Sequence, residues 1–171
     1  MTESVNPKIT SAGLLVLRLF AATLMIHHGI EKLSDVEGFT TYIVDQYFAF
    51  LPLNHALWTT AAAYTQIIGS ICLLAGLITR ASAIGLASTM VFALAFHGLD
   101  TGLQGAPLGI VDAHNYEYET SALYLAIFAV LTIWGSGSFS ISALFKSFLP
   151  EKIQPWAWKC VTKNSWIHLK Y

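Results

Sequence analysis

The stretch LLVLRLFAATLMIHHGIEKL, residues 14–33, decides how the chain is read. It is an apolar run with one arginine, Arg18, in its middle and His27, His28, Glu31 and Lys32 at its end. A membrane helix of about 20 apolar residues spans a bilayer, and an ionisable group inside one is costly enough that it normally turns inward to a partner. The rest of the chain has the same character. Of 171 residues, 55% are hydrophobic and 11% charged, and the mean hydropathy is +0.58. The apolar residues come in blocks, at 13–30, 57–79, 81–99 and 121–134. These predict an all-α fold, a four-helix transmembrane bundle. A secretory signal peptide is disfavoured at the start, because Arg18 breaks the apolar region and the remaining chain is equally apolar.

Charge sets the expected orientation. Seven of the nine basic residues (Lys8, Arg80, Lys146, Lys152, Lys159, Lys163 and Lys170) fall on one side of the four predicted spans. The segments 31–56 and 100–120 carry eight acids and only Lys32. Positive charge favours the cytoplasmic side, so both termini are expected there, in a bacterial inner membrane or a thylakoid. The four-helix domain is expected over residues 1–149. Residues 150–171, with Trp156, Trp158 and Trp166 among lysines, are expected to form an interfacial tail. His114 is expected to be solvated. A net charge of −1 gives no nucleic-acid footprint. Cys72 and Cys160 make no disulfide framework, and no metal-ligand spacing is visible.

Helical geometry sorts the polar residues. At 100° per residue, Gly29 falls within about 20° of Arg18, Lys32 at about 40° and His28 at about 80°, with His27 opposite and paired with Glu31. His28 rather than His27 is therefore expected inside. On the second helix Thr59, Ala62, Gln66, Gly69, Leu73 and Gly76 form a small and polar stripe, the type of face that lets helices approach closely in lipid. Gln66, roughly 14 Å below the outer end, is expected to face Arg18 at similar depth. Glu119 shares a face with Ala122, Ala126 and Ala129, and His97 ends the third helix at the same level. Arg18, His28, Lys32, Gln66, His97 and Glu119 are thus the candidate ligand and proton-site residues, and Gly29, Gly69 and Gly76 the candidate packing positions.

In RLFAATLMIHHGIEKL, QIIGSICLLAGLITRASAIGL, ETSALYL and WGSGSFSIS the chain resembles the DoxX family of small membrane proteins, from about residue 12 to 142. The resemblance implies association with membrane redox complexes, as a subunit of a quinone-linked oxidoreductase. Arg18, His28, Gly29, Lys32, Gly69, Gly76, Thr79, Arg80, Glu119, Gly135 and Gly137 match the family pattern. Gln66 departs from it, since Glu is usual there, and the closing turn lacks its final acidic residue. Three functional readings follow. The first is a subunit of a redox complex with a quinone pocket near the outer leaflet. The second is a non-catalytic accessory or assembly subunit of a larger respiratory or photosynthetic complex. The third is a haem or chlorophyll carrier with His28 and His97 as axial ligands. The expected partners are the lipid bilayer and other membrane-complex subunits.

Overall fold

The structure is a computed structural model that describes residues 6–102, 104 and 116–148. It is all-helical, with no strand among the described residues. Helix α1 runs over Pro7–Ser34, α4 over His55–Ala75, α5 over Thr79–Asp100 and α6 over Glu117–Trp134. Between α1 and α4 lie the short α2 (Val36–Phe39), a π-helical turn (Thr40–Val44) and α3 (Asp45–Tyr47). A last helix, α7, spans Ile141–Phe148. His114 and the tail 150–171 lie outside the described residues.

Local chemistry sets these bounds. Asn6 accepts a hydrogen bond from the Lys8 amide at 3.0 Å ahead of Pro7, whose fixed φ suits a first helical turn. Asn54 caps α4 in the same way through the Ala56 amide, at 2.8 Å. Gly76 ends α4 with φ +67°, and the Gly76 and Leu77 amides return to the Leu73 and Cys72 carbonyls. Gly76 is therefore a helix terminator as well as a packing position, since an added Cβ would run into the Arg18 guanidinium and Ser140. The predicted span 57–79 is cut short there, and Thr79 starts α5 instead.

Helix α1 packs along α4, α4 along α5 and α5 along α6, while α6 also touches α1. The close approach of α1 to α4 is made at Gly29. A Cβ there would lie 2.7 Å from Ile67 Cγ1 and 2.8 Å from the Ala63 carbonyl oxygen. At Gly69 a Cβ would lie 3.2 Å from Leu86 Cγ on α5. The buried centre combines Ala21, Ala22, Met25, Leu73, Leu86, Phe128 and Leu131 with polar Arg18, Thr59, Gln66 and Ser70. Large apolar side chains such as Phe20, Leu24, Ile68, Ile71, Val91 and Ile133 point outward. Polar groups inside and an apolar exterior are what lipid rewards, since a buried polar group must find its partners within the protein. Helices α1, α4 and α5 are long and apolar enough to cross a membrane.

Two parts of the fold differ from the sequence-based expectation. The segment 31–56 is no open loop. Its helical turns fold back over the end of the bundle, burying Thr40, Val44 and Phe48. Thr40 Oγ1 and Thr59 Oγ1 share a hydrogen bond of 2.8 Å, tying the π-helical turn to α4. The second difference lies on α6. Its buried residues are Ser121, Tyr124, Phe128 and Leu131, spaced at i, i+3, i+7 and i+10, while Glu119, Ala126 and Ala129 are exposed. Here bulk, rather than small size, marks the packed face.

Candidate functional site

The covered end of the bundle holds a partly open cavity of about 810 Å³, within the ordinary size range for small-molecule sites. Its walls come from the last turns of α1, the first half of α4, the second half of α5, the start of α6 and the short turns above. His28, Lys32, Gln66 and His97 all line it. Phe39, Tyr42, Phe48, Trp58, Phe92 and Tyr124 supply aromatic walls. Four polar residues on three helices thus reach one mostly apolar chamber.

His28 is half-buried, its ring edge-on to Tyr124 at 6.1 Å between centroids, whereas His27 is exposed and does not line the cavity. Glu31 approaches His28 Nδ1 at 3.9 Å. The expected His27–Glu31 pair is therefore corrected to His28–Glu31, at i,i+3. Lys32 Nζ donates to the His28 carbonyl at 3.2 Å and lies 4.8 Å from the Phe39 ring centroid. A cation over a ring face is attracted by its quadrupole, which holds the ammonium under the covering turns.

Across the cavity, His97 Nδ1 lies 3.6 Å from Glu117 Oε2. Glu117, not Glu119, is the carboxylate that lines the cavity. Helix α6 begins at Glu117, so Glu117, Thr120, Ser121 and Tyr124 share the inward face and Glu119 turns away. The sequence reading took the wrong acid of the pair because it chose the alanine face as the inner one. The turns above the cavity are fastened twice at their C-terminal end. Tyr47 Oη donates to Asp100 Oδ1 at 2.5 Å, and His55 Nδ1 meets Asp45 Oδ1 at 2.5 Å. The bond to the Asp100 carboxylate pushes the Tyr47 phenol above its ordinary pKa.

Arg18 belongs to the other end. It is fully buried. Nη1 donates to the Leu73 carbonyl at 3.3 Å and Nη2 to the Phe139 carbonyl. The expected contact with Gln66 is absent. Gln66 donates through Nε2 to Thr89 Oγ1 at 3.4 Å, and its Oε1 has no partner. The reason is register. Helix α1 continues to Ser34, so Gln66 sits opposite Gly29, whose added Cβ would lie 3.2 Å from Gln66 Cβ. Arg18 is eleven residues before Gly29, about 16 Å further along the helix. Arg18 is thus a brace between α1, the end of α4 and the turn before α7, and does not line the cavity.

The DoxX family profile matches residues 13–98, half of the chain. The chain belongs to the DoxX family. The match covers most of α1, the covering turns, α4 and nearly all of α5, and so contains His28, Lys32, Gln66 and His97. With its three long apolar helices, this DoxX chain is a membrane protein in contact with lipid. No curated protein and no solved structure matches it.

Proposed function

We propose that this DoxX protein is the integral membrane subunit of a quinone-linked redox complex, and that the covered cavity is its quinone site. In this reading α6 crosses the bilayer with α1, α4 and α5. The four form a transmembrane bundle with both termini cytoplasmic and the cavity near the outer face, and the complex's other subunits hold the electron donor. The charge asymmetry of the segments supports the orientation.

The observation that carries the proposal is the content of the cavity. A quinone head needs a flat apolar slot with hydrogen-bonding groups at its two oxygens. The aromatic walls at Phe48, Phe92 and Tyr124 fit the slot. Lys32 and His97 are the residues that would hold the oxygens, and the His97–Glu117 pair can hold or pass a proton at the outer end. Bound there, a quinone supplies two-electron, two-proton redox chemistry. The protein's part is to bind and orient the ring, keep bulk water out beneath the covering turns and handle protons.

The test is quinone-dependent turnover by the complex captured from native membranes through this chain. Lys32→Met should leave the complex assembled and lower its turnover at limiting quinone. Unchanged turnover in the assembled variant, and in one whose cavity is filled by Ala62→Phe, would assign the chain an accessory role instead.

A further inference from the structure

Gln66 is 2% exposed and lines the cavity from the middle of α4. Among the described residues its side chain makes one hydrogen bond, from Nε2 to Thr89 Oγ1 on α5. The Thr89 hydroxyl has one hydrogen, and it is given to the Leu86 carbonyl at 2.8 Å. Thr89 can therefore only accept from Gln66. This fixes the side-chain amide with its NH2 group toward Thr89, and it leaves Oε1 as a buried acceptor that no group among the described residues serves. A buried acceptor without a donor loses its hydration and gains nothing in return. The cavity beside it is the place from which a donor can come.

We propose that Gln66 Oε1 accepts a hydrogen bond from the ligand, so that the inner end of the cavity selects a ring bearing a hydroxyl over the same ring bearing only acceptors. Naming the ligand a quinol rests on the quinone reading above; the demand for a donor does not. A quinone carbonyl would set lone pairs against lone pairs at Oε1, whereas a quinol hydroxyl satisfies it. At the outer end the requirement reverses. Lys32 Nζ spends one hydrogen on the His28 carbonyl and keeps others for an acceptor oxygen. The cavity is thus polarised along its length, wanting a donor at its inner end and an acceptor at its outer end, and the reduced form of the carrier meets both.

Two pairs of probes test this on the purified full chain in detergent, by calorimetric titration. 4-Heptylphenol and its methyl ether differ only in the hydroxyl hydrogen and one methyl group. Decylubiquinol and decylubiquinone, titrated without oxygen, differ in oxidation state. The wild type should bind the phenol on the order of tenfold tighter than the ether, the usual scale for one buried hydrogen bond. Gln66→Met keeps the volume and removes the acceptor, and should bring that ratio close to one. Equal binding of phenol and ether by the wild type overturns the inference even where decylubiquinone binds well. A ratio undiminished in Gln66→Met also overturns it. Preference for the phenol with no binding of either ubiquinone form keeps the inference and removes the quinone reading. Failure of all four probes to bind overturns both. The wild-type comparison is decisive even if the variant fails to fold.

Discussion

Arg18 on α1 donates to the Leu73 carbonyl near the end of α4, at 3.3 Å. That carbonyl also receives the Gly76 amide at 3.0 Å. One guanidinium therefore reinforces the last turn of a neighbouring helix, and its other arm reaches the Phe139 carbonyl in the turn before α7. The planar fork serves the two carbonyls through two separate nitrogens, whereas a lysine would have to reach both from one.

Replacing Arg18 should accordingly cost stability and not ligand affinity. Arg18→Leu takes the guanidinium donor from the Phe139 carbonyl and leaves the Leu73 carbonyl with the Gly76 amide alone, with an expected loss of about 2–4 kcal/mol. Arg18→Lys should recover only part of it. Thermal unfolding in detergent checks this. A variant as stable as the wild type would show that the brace contributes nothing.

Gly29 sets the distance between α1 and α4. Gly29→Ala brings a Cβ against the Ala63 carbonyl, which is backbone and cannot swing aside. The helices must move apart, at an expected cost of about 1–3 kcal/mol. Gly13, also on α1, has nothing within 4 Å of an added Cβ. Gly13→Ala should be neutral, or stabilising by up to about 1 kcal/mol through helix propensity. Equal responses at the two positions would mean that close packing at Gly29 is not the reason for its glycine.

The covering turns should loosen when Tyr47 loses its hydroxyl. Tyr47→Phe removes the bond to Asp100 while keeping the ring against Phe96, 5.1 Å away between centroids. Amide hydrogen exchange in residues 40–47 should quicken, with the helices beneath unchanged. The same bond fixes a pH dependence. The folded phenol ionises above its unfolded value, so the attachment is complete below the unfolded pKa of about 10. It is lost as pH rises through the higher folded value. Exchange in these turns that ignores both the substitution and alkaline pH would remove Tyr47 as their fastener.

The proposed orientation is checked by cysteine labelling in intact cells, with Cys72 and Cys160 replaced by serine. Glu37→Cys, in the covering turns, should react with a membrane-impermeant maleimide. Lys8→Cys, at the start of α1, should react only after lysis. The reverse pattern inverts the protein in the membrane.

The long helices were legible because lipid imposes continuous apolar runs, and those runs survive any error in helix phase. His28 over His27 was legible for a related reason. The two residues differ by 100° around one helix, so a single fixed direction separates them. Depth was harder to read. The end of α1 is set by local hydrogen bonding around Asp35 rather than by hydropathy. Four extra residues there account for about 6 Å of the separation between the levels of Arg18 and Gln66. The choice between Glu117 and Glu119 needed the phase of α6, which the packing of Tyr124 and Phe128 decides. The covering turns were hidden because three short pieces, one of them a π-helical turn, leave no period in the sequence.

The central claim is that the covered cavity binds a quinone. Trp58 lines that cavity, and its indole Nε1 is held by the Pro52 carbonyl at 2.7 Å. Its fluorescence is therefore a local reporter. Titrating the purified chain with decylubiquinone should quench it saturably. The saturable part should vanish in Trp58→Phe, and its midpoint should rise at least tenfold in Ala62→Phe, whose ring occupies the cavity. Quenching that never saturates, or that saturates at the same concentration with the cavity filled, would contradict the account.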